Sequence, residues 1–349
     1  MRYIKSSIVM LLVVSVLSGV VVYKKLTSHV PYVVDVYGTQ SLSLNEINQH
    51  YSLALMHMAE QIQKGESGDA VQLEEAMQQV VAGIKKQGNF ASVGISPIIY
   101  ARDPKVYFTI DVVEAKDVAR LRYFNPVLQA SFADPDNLIA EWIAYEKAGF
   151  DLFYQYHVFP SFKTCPAHHC VFGFDAPSLK PYLSVFAAGV SKNKAALKQI
   201  LYADSNEEKR AAAAFLLAHI KSTDELVQTL LPAMQDPSAK VRNNVMRVLG
   251  MTAGANPALH LPIRKIAEAL NYPETTDRNK AMWIVFNLVQ QPAYADYVLH
   301  HASRQLLNEL RLQQPNNHDL AYAILQKMSG KTYSDRDYVA WEKWVKVRV

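Results

Sequence analysis

A stretch that repeats itself at fixed spacing constrains a chain more than composition does, because every copy must fold alike and bury its apolar face against the next. Asp204, Lys209, Arg210, Ala213, Leu216 and Leu217 are each followed 32 residues later by Asp236, Val241, Arg242, Val245, Val248 and Leu249. A less regular third copy runs through Tyr272, Pro273, Asp277, Arg278, Ala281, Ile284 and Val285. Its Arg278 lies 36 residues after Arg242, a drift that predicts an insertion in the turn. The apolar residues at i, i+4, i+7 and i+8 define one helical face. From Pro181 onward nearly every segment has this period, so the C-terminal half is expected to be a stack of helical hairpins.

The remaining positions of the repeat have structural chemistry. In Gln235-Asp236-Pro237 the aspartate can cap the following helix, and proline suits a first helical position, where a missing N–H costs nothing. Arg242, near the start of that helix, can reach an aspartate of the neighbouring repeat. The pattern Asp-Pro-x-x-x-Val-Arg, closed by Leu249-Gly250, resembles the short bacterial kind of HEAT repeat. Such repeats also occur in phycobilin lyases, a likeness of repeat shape that implies no catalytic residue here. The resemblance makes Asp204, Arg210, Asp236, Arg242 and Arg278 a structural ladder. It also implies a protein- or peptide-binding groove, for which Asn243, Arg247 and Asn279 are the candidates, being unneeded for packing. The segment from Met328 to Tyr333 and on through Asp337 to Trp344 resembles the end of bacterial HEAT-repeat proteins. Trp341 and Trp344, on one helical face, are expected to cap the array, and Pro262, Pro292 and Pro315 to separate its later helices.

Upstream, Tyr32 to Tyr37 reads as a strand ended by Gly38, and Leu44 to Gln63 and Val71 to Lys86 as helices broken by the stretch from Gly65 to Asp69. Phe90 to Tyr100 and Val106 to Glu114 read as strands joined by the turn Arg102-Asp103-Pro104-Lys105. In the second of these, Val106, Phe108, Ile110 and Val112 alternate with Tyr107, Thr109 and Asp111, as in a half-buried strand. The order β-α-α-β-β, with Leu44-Asn45-Glu46-Ile47, Gly88-Asn89-Phe90 and Ile110 to Glu114 as the matching points, resembles a POTRA domain. Leu138 to Tyr154 is expected to be helical. The surrounding Phe132, Phe159, Phe162, Phe172 and Phe174 suggest an aromatic connector that seats the small domain on the array.

Ile8 to Val22 is apolar apart from Ser15, Ser18 and Gly19, and it follows Arg2 and Lys5. That is the pattern of an export signal or anchor. An uncleaved anchor flanked by Lys24 and Lys25 is favoured over a signal cleaved after Ser18, and both place the body outside the cytoplasm. Setting aside those four basic residues from the 36 Lys and Arg leaves 32 against 32 Asp and Glu. A neutral body lacks the electrostatic footprint of nucleic-acid binding. Cys165 and Cys170, the only cysteines, read as a disulfide in an oxidising compartment.

The expected chain is mainly α: a C-terminal α-solenoid of HEAT-like hairpins behind a small α/β domain and an N-terminal hydrophobic helix. The boundaries are 1–25 for the signal or anchor, 31–116 for the POTRA-like domain, 117–180 for the connector and 181–349 for the array and its cap. His168 and His169, with His157 nearby, read as surface histidines beside the disulfide. A metal site or redox chemistry on this Cys/His cluster is the alternative. Asp134, Asp136, Glu141 and Glu146 read as caps and helix surface, Phe172-Gly173-Phe174-Asp175 as a packed turn, and His300 and His301 as surface or groove residues. No esterase, zinc-protease, phosphate-loop or dinucleotide signature occurs. The expected function is a non-catalytic envelope adaptor without cofactor, at a bacterial inner membrane facing the periplasm, or periplasmic or secreted if cleaved. It would bind a protein or peptide through the array, and a strand through a sheet edge. An envelope enzyme, a metal-handling protein and a secreted effector are the rival readings.

Overall fold

The computed structural model describes residues 29–64, 70–100, 103–121, 129–156 and 158–349. The expected anchor at 1–25 lies outside these residues, as does His157. Among the described residues no helix is long and apolar enough to cross a membrane.

The small domain consists of β1 (Tyr32–Tyr37), α1 (Leu44–Lys64), α2 (Ala70–Lys85), β2 (Phe90–Tyr100) and β3 (Asp103–Glu114). The sheet order is β1-β3-β2. Strand β3 lies at the centre, parallel to β1 and antiparallel to β2. It begins earlier than its alternation suggested: Asp103 already pairs with Tyr100, so Pro104 and Lys105 are strand residues. Gly38 ends β1 at φ +87°, where an added Cβ would meet the Val112 carbonyl oxygen at 2.2 Å, so only glycine fits.

One face of this sheet, including Val34, Phe108, Ile110 and Val112, packs with Ile47, Leu55, Met58 and Ile84 of the two helices. The other face is not solvated as the alternation predicted. Tyr37, Tyr107, Thr109 and Asp111 are all buried. Their cover is the helical array, since Asp35 accepts hydrogen bonds from the Gln313 and Gln314 backbone N–H groups and Asp111 accepts one from Thr275.

Helix α3 (Leu138–Tyr154) opens the array, followed by α4 (Lys180–Ala203), α5 (Glu207–Leu216), α6 (Thr223–Leu230), α7 (Ala239–Ala255), α8 (Ile263–Ala269), α9 (Thr275–Leu288), α10 (Pro292–Leu310), α11 (Pro315–Ser329) and α12 (Tyr338–Lys346). Helices α5, α7, α9 and α11 stack side by side as one row, and α4, α6, α8, α10 and α12 pack behind them. The drift of the third repeat has its source here: α7 continues to Ala255 and a loop follows before α8, so the insertion lies in the helix as well as the turn. Trp341 and Trp344 are buried, with the Trp341 ring against Tyr322 and Tyr333 at the end of the stack.

Arg120, at the start of the connector, bonds both the Val112 carbonyl of the small domain and the Asn271 carbonyl of the array, but the connector's aromatic residues do not seat the small domain. Trp142, Tyr145, Phe172 and Phe174 belong to the core of the array, where they stack with Phe186 and Phe215. The segment is therefore the array's first cap, whereas the small domain docks on the later hairpins. The two ends of a solenoid each lack a neighbour, and aromatic bulk closes both of them.

Candidate functional site

The repeat arginines form a row of ion pairs between successive hairpins. Arg210 donates to both oxygens of Asp236, with Nε to Oδ2 at 2.8 Å and Nη2 to Oδ1 at 2.9 Å. Arg242 pairs with Asp277 at 2.7 Å, and Arg278 with Glu309 at 2.5 Å. Each arginine also donates through Nη1 to two carbonyls of the loop before its own helix: Asp204 and Ser205, Asp236 and Pro237, Tyr272 and Pro273. One guanidinium thus closes its own loop and ties it to the next hairpin. The aspartates act one step earlier than a helix cap. Ser238, not Asp236, is the residue that precedes α7, and the Asp236 carboxylate accepts the Ser238 N–H at 2.7 Å within the turn. Asp204, with no preceding arginine, accepts the Phe132 N–H at 3.0 Å and thereby joins the cap to the first hairpin.

The face of the α5-α7-α9-α11 row turned away from the second layer is covered first by α3 and by residues 158–179, and it emerges at α7. Asn243, Arg247 and Asn279 are half-buried there. Asn279 donates to the Asn316 carbonyl at 2.9 Å and so bridges α9 to α11. Arg247 makes no hydrogen bond or ion pair with any described residue. Gly250 lets the Trp283 ring lie across α7, since a Cβ there would meet Trp283 Cδ1 at 2.3 Å. Trp283 is 38% exposed and Met251 40%.

Two neighbours of Arg247 had no signal in the sequence that linked them to it. Burial and the Arg247 charge push the Lys280 ammonium down from its ordinary 10.5 to about 8. Lys280 Nζ donates to the adjacent Asn279 Oδ1 at 2.7 Å. His169 is not a surface histidine. Its ring is buried 5.5 Å from that of Phe215, and its Nε2 has no hydrogen-bond partner. Burial first, and the charges of Arg247 and Lys280 second, lower it to about 3, so it is neutral. Glu146 of α3 is the carboxylate whose charge acts on Arg247. Burial raises its own pKa.

Cys165 and Cys170 are bonded to one another. The loop they close is held to the array by the His168 N–H on the Ala218 carbonyl at 3.0 Å. With both sulfurs in the bridge, no three His, Cys, Asp or Glu side chains among the described residues are grouped to hold a metal ion. Asp134 caps α3 through the Ile139 and Ala140 N–H groups, and Asp136 pairs with Lys192 at 2.8 Å. Asp175 accepts from Ser161 Oγ and from the Lys163 and Thr164 N–H groups, which organises the turn after the exposed Phe159 and Phe162. His300 and His301 are exposed on α10, with His301 edge-on to Tyr297 at 4.2 Å.

No curated protein and no solved structure matches this chain. Residues 195–275 match the family model of HEAT repeats. That stretch runs from within α4 to the first residue of α9, and over it the chain is similar to HEAT repeats.

Proposed function

We propose that this chain is a non-catalytic scaffold of a bacterial cell envelope whose array binds a protein or peptide along the open face of α7 and α9. The observation that carries the reading is Arg247, which has no hydrogen-bond or ion-pair partner among the described residues, on the same row as the exposed Trp283 and Met251. Partly exposed aromatic and arginine side chains are the usual anchors of protein contacts. Envelope residence is supported by the apolar stretch at residues 8–22 and by a disulfide of the kind that persists in oxidising compartments. The β1-α1-α2-β2-β3 order, with two helices on one sheet face, supports a POTRA-like small domain. Strand β2 has β3 as its ladder partner, and its other edge suits strand addition.

The test is crosslinking followed by affinity capture of the tagged full-length chain from gently solubilised membranes, compared with a Met251→Ser, Trp283→Ala double variant. Deleting the array would be a poor control, because it removes the surface on which the small domain rests. A stoichiometric envelope protein lost in the double variant is the expected result. Capture that is equal in both, or absent from both, would refute binding by this face.

A further inference from the structure

We propose that Arg247 and Lys280, with the buried His169 beside them, form a binding site for a single carboxylate carried by the partner peptide. This rests on the peptide-binding reading above for the source of the carboxylate, and the arrangement itself supplies the rest. Arg247 and Lys280 project from neighbouring helices of one row, close enough for the Arg247 charge to act on Lys280. Arg247 has no hydrogen-bond or ion-pair partner among the described residues. Lys280 uses one of its three donors, on its own neighbour Asn279. The Nε2 of His169, on whose ring the charges of Arg247 and Lys280 act, is buried without a hydrogen-bond partner among the described residues.

Half-buried like charges side by side, with an orphaned ring nitrogen, are costly unless an anion joins them. The fold holds them there rigidly. His169 is fixed by the Cys165–Cys170 bridge, the His168 contact to Ala218 and the Phe215 ring. Arg247 lies in the middle of the 17-residue α7. A planar guanidinium presents two parallel N–H groups to a carboxylate, and the ammonium adds a point charge.

Charge selects the class of anion. Two cations and the nearby Glu146 carboxylate leave one net positive charge with His169 neutral, which matches a carboxylate and leaves a phosphate dianion uncompensated. Glu208 and Lys240, further along the same face, pair with each other. Trp283 and Met251 lie beside the site on α9 and α7 and suit an apolar residue flanking the acidic one. The expected ligand is therefore a peptide segment with one Asp, Glu or terminal carboxylate next to apolar side chains.

The experiment uses the full chain and an array of twelve-residue peptides. Each carries one Asp or Glu in an uncharged apolar background, and each is paired with its Asn or Gln counterpart. The best binders are then titrated calorimetrically. Binding is expected to weaken about ten-fold or more in the amide counterparts, in Arg247→Gln and in Lys280→Gln, and to be unchanged in Arg264→Gln on the second layer. The melting temperatures of Arg247→Gln and Lys280→Gln are expected to equal or exceed that of the parent. Peptides that bind equally as amides, or equally to Arg247→Gln, overturn the carboxylate site and leave the peptide groove standing. Binding of phosphatidylglycerol vesicles, lost in Arg247→Gln, with no peptide bound, overturns the peptide as source. Absence of any binder overturns both readings, and a lower melting temperature in both variants makes the two cations structural.

Discussion

The Asp111 carboxylate, on the last strand of the small domain, lies 2.8 Å from Nη2 of Arg278 in the third hairpin of the array, 167 residues along the chain. Arg278 is the repeat arginine that pairs with Glu309, and the ring of Tyr37 stacks on its guanidinium with the centroid 3.6 Å from Cζ. One side chain thus closes a repeat and holds a second domain in place. Beside it Arg120 donates to the Asn271 carbonyl at 3.0 Å, and Tyr100 accepts the Asn316 N–H at 3.0 Å. The small domain is fixed to the loops that precede α9 and α11, so its sheet and the open face of the row keep one relative orientation.

Asp35→Ala removes a carboxylate that accepts the Gln313 and Gln314 N–H groups before α11. A loss of about 0.5–2 kcal/mol is expected, as for other helix-terminal acceptors. Combined with Asp111→Ala it should release the small domain. Hydrogen exchange would then quicken at Thr275, Gln313 and Gln314 while the α1 and α2 amides stay protected.

The ladder is expected to break asymmetrically. Asp277→Ala leaves the fully buried Arg242 without its 2.7 Å partner and should cost about 3–5 kcal/mol in chemical denaturation. Replacing both members, as Arg242→Met with Asp277→Leu, should recover most of that loss, because two buried charges are then removed together.

These two results would bear on what the sequence could show. The ladder was legible because it recurs: Arg210 and Arg242 stand at the same place in two copies, and a spacing is information that a single chain contains. The docking was not. Asp35 and Asp111 look like the outward polar residues of half-buried strands, and no local pattern tells a solvated carboxylate from one that meets an arginine 167 residues away. The aromatic connector was read as a bridge between domains because bulk predicts burial and not the partner. Arg247 could be found by subtraction, as a residue the packing pattern does not use. Lys280 passes for helix surface, and His169 for an accessory of the disulfide, until the row of helices brings them together.

The pH dependence of stability should report Lys280. Its pKa falls from 10.5 to about 8 on folding, so between those values the unfolded chain holds a proton that the folded chain has released. Stability from this group therefore rises with pH across that window. Between about pH 7.5 and about pH 9.5 the parent should gain roughly 1–2 kcal/mol on Lys280→Gln. Urea midpoints of the two proteins at both pH values measure the change.

Reduction of the Cys165–Cys170 bridge, or a Cys165→Ser, Cys170→Ser double variant, should cost about 2 kcal/mol, the loop-entropy value for so small a loop. The loosened segment should show faster exchange at His168 and a weakened response at the Arg247 site, since His169 is held there by the bridge. Melting with and without reductant measures the first effect.

The claim on which the rest depends is that the α7-α9 face meets a partner, and in-cell photocrosslinking tests it most directly. A photoreactive phenylalanine analogue is placed at Trp283 in the full-length chain, and in a second strain at Arg264 on the opposite layer. A discrete covalent adduct to an envelope protein from position 283, with none from 264, is the predicted result. An adduct from 264 alone, or none from either position, would contradict it.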